Sequence, residues 1–216
     1  MKKSIILSLI TLFCSLAALA GEDTKFEKAM QAAITAVHSS KTVEEMQQAA
    51  NQLERIATAE PKEWLPAYWV SYSYLNMAFM ENDNVRKDQL MDKADQFLQK
   101  AEAQQSNQDE VLVMKAFIAL GRISIDGQTR FQTYGPIFNE SLAKARQINQ
   151  ENPRIYMLEG QMLYYTPEAF GGGKATACPK LKTAMDKFSS FKPASSISPD
   201  WGIKSAEHLY ANCDGK

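Results

Sequence analysis

Apolar residues recur at three- and four-residue spacing along nearly the whole of this chain, and that spacing predicts helices. Phe26, Met30, Ala33 and Val37 mark a first helix over about residues 23–39. Thr42 followed by Glu45 has the form of a capping box and opens a second helix to about Ala59, where Pro61 ends the pattern. The third, over about residues 63–80, is apolar nearly all round: Trp64, Tyr68, Tyr72, Leu75 and Phe79 form one stripe, Leu65, Trp69 and Asn76 lie beside it, and Val70, Tyr74 and Met77 face elsewhere. Such a helix packs on more than one side. Further helices are expected over about 85–104, 109–125, 138–149, 153–165, 174–188 and 200–211. Asn82-Asp83-Asn84 and Asp126-Gly127 mark turns, Tyr134-Gly135-Pro136 an irregular segment, and Pro153 a helix start. No run of β-branched and aromatic residues alternates with period two, so no strand is predicted. The fold class is all-α, with about eight or nine helices.

The start of the chain has a different pattern. Lys2 and Lys3 precede an apolar run from Ile5 to Leu16, and Ala18-Leu19-Ala20 gives a small-x-small site before Gly21. That is the layout of a secretory signal peptide over residues 1–20, with residues 21–216 left as one domain. Export to the periplasm, or secretion, follows, and no other stretch is long and apolar enough to span a bilayer. Charge adds little: 24 basic residues against 25 acidic ones carry no nucleic-acid signature. Of three cysteines, Cys14 leaves with the signal, and Cys178 and Cys213 remain as an even pair in an exported chain. A disulfide is the expected outcome, tying a C-terminal cap over about residues 191–216 to the helix before it. There is no Cys-x-x-Cys motif and only two histidines, His38 and His208, which argues against a redox or metal pair.

An internal period runs through the helices. Ala49, Leu53 and Ile56 recur as Ala94, Leu98 and Ala101, as Phe138, Leu142 and Ala145, and as Ala177, Leu181 and Ala184. The sets start about 39 to 45 residues apart, and each lies on one helix face, where it admits a close neighbouring helix. This pattern resembles the tetratricopeptide repeat (TPR) proteins over roughly residues 42–188. Tyr156 and Gly160 match the large-then-small pair of that family's first helix; Tyr68 and Tyr72 do not, because Tyr72 is large. The resemblance implies stacked helical hairpins in a short right-handed superhelix. The stretch Tyr165-Thr166-Pro167-Glu168-Ala169-Phe170-Gly171-Gly172-Gly173-Lys174 is similar to a feature of exported bacterial TPR-like proteins. Some of those are components associated with TRAP transporters, and others, in Bacteroidetes-type bacteria, have no assigned role.

The glycine stretch also resembles a phosphate loop superficially. Its spacing is wrong, a helix precedes it, and Ala175 stands where a hydroxyl is needed. A carboxylate docked on the backbone of Gly172 and Gly173 beside Lys174 is the milder reading; a sharp turn packed against a hairpin is the plainer one. Aromatic residues, including Tyr68, Tyr72, Tyr164, Tyr165 and Phe170, either line a groove or fill the core. No histidine–carboxylate cluster has metal spacing and no nucleophile motif occurs, so no metal, cofactor or catalytic residue is expected. The function expected is non-enzymatic: an exported scaffold that binds a protein partner. The alternative is a periplasmic carrier of an apolar or carboxylate small molecule, associated with a transporter.

Overall fold

The structure, a computed structural model, describes residues 25–105 and 108–213. The signal-peptide segment lies outside the described residues. Nine helices run through them: α1 over residues 25–39, α2 Val43–Ala59, α3 Trp64–Met80, α4 Asn84–Gln104, α5 Asp109–Ile125, α6 Gly127–Ile148, α7 Pro153–Tyr165, α8 Lys174–Ser190 and α9 Ile203–Ala211. Their starts follow local chemistry. The Thr42 side chain accepts from the Glu45 amide, and the Glu45 carboxylate accepts from the Lys41 amide at 2.7 Å. Asp83, Asp126 and Asn152 cap α4, α6 and α7 in the same way, and Pro153 sits at the first position of α7.

Stacked hairpins form the architecture. α3 with α4, α5 with α6, and α7 with α8 pair closely, and α2 lies against α3. The helices α3, α5 and α7 also touch in series, forming an inner row, while α2, α4, α6 and α8 sit outside it. The repeated triplets occupy the outer helices and explain the pairing. All twelve members are buried except Ile56, which is half-buried. Their small residues let a backbone approach around one large side chain. At the α7–α8 contact the approach is so close that a Cβ added at Gly160 would lie 2.7 Å from Leu181 Cγ. The largely apolar α3 contacts α2, α4 and α5, and only one end of it, at Phe79 and Met80, is exposed.

Two expectations need correction. The segment around Tyr134-Gly135-Pro136 is helical, not irregular: α6 begins at Gly127 and carries Pro136 inside it. Proline in a helix interior costs about 3 kcal/mol. Tertiary contacts upstream of it hold the helix. Arg130 grips Asp88 of α4 through both guanidinium nitrogens at 2.6 and 2.7 Å, and Tyr134 lies under the Arg122 guanidinium. Residues 191–202 open the C-terminal segment. They form a strap that leaves α8, crosses the inner row as far as α1, and returns to start α9 at Ile203. The helix expected from residue 200 therefore starts three residues later. The disulfide between Cys178 and Cys213 is present, with Cα atoms 5.7 Å apart, and fastens the end of α9 to the start of α8.

Candidate functional site

The glycine turn is built by its own backbone. Thr166 ends α7, and a single 3₁₀ turn, Glu168–Phe170, leads to Gly171 in the left-handed region at φ 81°. Gly171 donates to Glu168 O, Gly172 to Pro167 O and Gly173 to Leu163 O. Gly172 is buried, and any Cβ there would collide with the Thr166 carbonyl oxygen. Gly173, at φ 91°, is the N-cap of α8. The three glycine N–H groups are therefore spent on the turn, so they are not presented to a carboxylate as the sequence suggested. What the turn does present is apolar. Tyr165 is 68% exposed and Phe170 82% exposed, large values for aromatic side chains on a folded surface. Lys174 follows, exposed, at the first position of α8. Tyr164 points elsewhere, into a small cluster with Leu209, Tyr210 and Cys213 of the C-terminal arm.

Tyr68 and Tyr72 belong to a second region, beneath the strap. Tyr68 is fully buried and Tyr72 half-buried. Between α3 and α5 the strap inserts Trp201. Its indole lies 5.2 Å from the Tyr72 ring, tilted by 30°, and 5.1 Å from the Phe117 ring at 16°. Its Nε1 donates to Tyr68 Oη at 2.8 Å. Arg154 of α7 lies alongside, fully buried. Its Nη1 donates to Glu110 Oε1 at 2.9 Å and its Nη2 to the Pro199 carbonyl at 2.7 Å, while its Nε has no partner among the described residues. Asn152 donates to Asp109 and to Glu110 Oε1. Burial pushes the Glu110 carboxyl up to about 7 although the Arg154 guanidinium pulls it down. Burial also raises Tyr72 to about 12 and lifts Tyr68 well above an ordinary phenol, with the Glu110 charge adding to the latter.

Further polar contacts tether the strap. Trp69 Nε1 donates to the Ile197 carbonyl, Gln31 to Ser196 Oγ, and His38 Nε2 lies 2.9 Å from Asp200 Oδ1. Burial alone would raise the Asp200 carboxyl; His38 and Arg154 outweigh it and hold it below the usual range.

The residues singled out from the sequence thus divide. Tyr165, Phe170, Gly172, Gly173 and Lys174 share the turn, Tyr164 lies behind it, and Tyr68 and Tyr72 lie under the strap. Arg154, Glu110, Phe117 and Trp201 were not picked out. The one available signal was Trp201 itself, a large apolar residue standing in a serine- and proline-rich segment. The outer face carries two clefts, about 560 Å³ between α2, α3 and α4 beside Phe97 and Lys100, and about 350 Å³ between α4, α5 and α6 beside Lys115 and Lys144. Neither includes a residue of either region. Among the described residues no group of three or more His, Cys, Asp or Glu is placed to hold a metal ion, and no helix is long and apolar enough to cross a membrane.

No protein-family model matches the chain, and no curated protein matches it. Among solved structures, the HusA haemophore from Porphyromonas gingivalis is similar at a TM-score of 0.77 and 31% sequence identity, over 87% of this chain and 92% of that one.

Proposed function

Since this chain belongs to the family of the HusA haemophore, we propose that it is an exported, non-enzymatic carrier of haem, seated on the exposed apolar face of the glycine turn. The observation that carries the reading is the fold shared with a haemophore across nearly the whole of both chains. It favours the small-molecule alternative over the protein scaffold, and the strap supports that choice by covering the inner row on which helical arrays take peptides.

Haem is a flat apolar ring system with two carboxylates. Its seat needs aromatic surface, a cation, and rigid backbone behind both. Tyr165 and Phe170, the two most exposed large apolar side chains among the described residues, supply the surface. Lys174 supplies a cation at the amino end of α8, where the helix dipole also favours a carboxylate. The internally bonded glycines fix the turn, so little ordering cost attends binding. A tyrosine phenol is also one of the groups that ligate haem iron. The disulfide supports export, since such bridges persist in oxidising compartments.

Titration with haemin, followed by the absorbance of the bound pigment, tests the reading. The protein should saturate at one equivalent, and Tyr165→Ala combined with Phe170→Ala should weaken binding by at least about tenfold, as expected for two lost aromatic contacts. Absence of saturable binding to the unaltered protein would remove the carrier reading. Undiminished binding by the double variant would remove the seat.

A further inference from the structure

We propose that the space beneath the strap is a second, gated binding site for a planar aromatic carboxylate, and that Trp201 is the internal occupant that keeps it shut. The inference takes its ligand class from the carrier reading but rests on different residues. The indole of Trp201 lies between two rings, Tyr72 and Phe117, at 5.2 and 5.1 Å and within 30° of parallel to each. That is a slot for a flat ring, and the chain fills it with its own.

Arg154 supplies the acid-binding half of the slot. Its Nη1 is committed to Glu110, within the helical array. Its other edge, Nε and Nη2, is the fork that grips a carboxylate through two parallel hydrogen bonds. Here Nη2 takes only the Pro199 carbonyl of the strap, and Nε takes nothing among the described residues, although the side chain is fully buried. A buried guanidinium with an idle donor is costly. A carboxylate entering in place of the Pro199 carbonyl would satisfy both donors. Trp201 and Pro199 therefore occupy the positions of a ring and an acid group.

The strap is held by buried bonds at its inner edge, Trp69 Nε1 to the Ile197 carbonyl and Trp201 Nε1 to Tyr68 Oη, and only weakly at its outer edge, where release would begin. Its tethers to α1 are two surface contacts, Gln31 to Ser196 and His38 to Asp200, the latter with side chains 38% and 46% exposed. Exposed pairs of this kind hold weakly. Gly202, at φ 108°, forms the turn into α9, and the disulfide keeps α9 in place when the strap lifts. With the strap lifted, Tyr68, Trp69, Tyr72, Phe117 and Arg154 would face one open surface. The strap then acts as a competitor inside the same molecule, and the apparent affinity of the slot is the intrinsic affinity scaled by the fraction of open chains.

Metal-free protoporphyrin IX is the probe, because its binding does not depend on iron ligation; fluorescence titration reads both affinity and stoichiometry. Trp201→Ser should bind one equivalent more than the unaltered protein, at least about tenfold tighter than any second equivalent the latter takes. The extra equivalent should survive Tyr165→Ala with Phe170→Ala, which removes the turn seat alone. If Trp201→Ser binds no extra equivalent while that double variant still loses the first, the slot is refuted and the turn seat stands. If the unaltered protein binds none and Trp201→Ser binds one, the turn seat fails and the slot stands. Should Trp201→Ser not fold by circular dichroism, Gln31→Ala with His38→Ala loosens the strap without touching the slot. That variant should gain the same equivalent, and its failure to do so would overturn the proposal.

Discussion

Replacing Gly160 by alanine should destabilise the protein, and the same replacement in a Leu181→Ala background should stabilise it. Two opposed effects meet at this residue. Alanine is preferred to glycine in a helix interior by about 1 kcal/mol. Against that, the new Cβ would lie 2.7 Å from both Cγ and Cδ2 of Leu181, and 3.2 Å from the Leu181 amide nitrogen. Carbon atoms in good contact sit about 3.5–4.0 Å apart, so α7 and α8 must separate or Leu181 must leave its rotamer. Overpacking of this kind costs about 1–3 kcal/mol, which outweighs the propensity gain and leaves a net loss of about 1 kcal/mol. Leu181→Ala alone removes the large side chain of a repeat triplet and should cost about 2–5 kcal/mol. In that background the two closest atoms are gone. The Leu181 amide nitrogen stays 3.2 Å away, a tight contact, so alanine at 160 should recover part of its propensity. Urea unfolding of the four proteins, followed by far-ultraviolet circular dichroism, gives the cycle, with an expected coupling of about 2 kcal/mol. Gly127→Ala serves as control, since an added Cβ there meets nothing within 4 Å. Equal effects of Gly160→Ala in both backgrounds would refute the claim that this glycine exists to admit Leu181.

Two further outcomes follow from the bridge and the buried ion pair. Replacing Cys178 and Cys213 by serine should lower stability by about 4 kcal/mol, the chain-entropy value for the separation of 35 residues; an unchanged urea midpoint would show that the C-terminal arm is held by packing alone. Glu110 titrates near 7 in the folded chain against 4.5 for an ordinary glutamate, so the folded state binds the extra proton. That contribution is complete below about pH 4.5 and is lost as pH rises through 7, by roughly 3 kcal/mol at most. Stability measured from pH 5 to 8 should fall, and Glu110→Gln should flatten the fall. Asp88 and Asp200 are held low and lose their contributions only in stronger acid, outside this window. A slope of the same size in Glu110→Gln would remove Glu110 as its source.

What could be read from the residues was what repeats or acts locally. Ala94, Leu98 and Ala101 declare a packing face because three positions on one helix suffice to do so. Thr42 with Glu45, and Asn152 with Pro153, declare helix starts through contacts spanning two to four residues. The glycine stretch was recognisable as a turn, but its chemistry was not, because the Gly173 amide goes back to Leu163, on the helix before the turn. Pro136 misled because a local rule against proline was overruled by Arg130 reaching α4. The slot was hidden for the same reason in stronger form. Arg154, the second residue of its helix, looks like any surface arginine until Glu110 and Pro199 are brought to it. The aromatic residues were legible as a group, whereas their division between core, slot and exposed turn depends on which of them the strap covers.

An array of stacked hairpins ordinarily folds through near-neighbour contacts, and its ends need not know of each other. The strap abolishes that independence. Ser196 meets Gln31 and Asp200 meets His38 across 165 and 162 residues of sequence. Contacts of such long range come late in folding, because much of the chain must be ordered before they close. The hairpins should therefore assemble quickly and the strap settle last, as a separate slow step. Only then are the first and last hairpins joined into one cooperative unit.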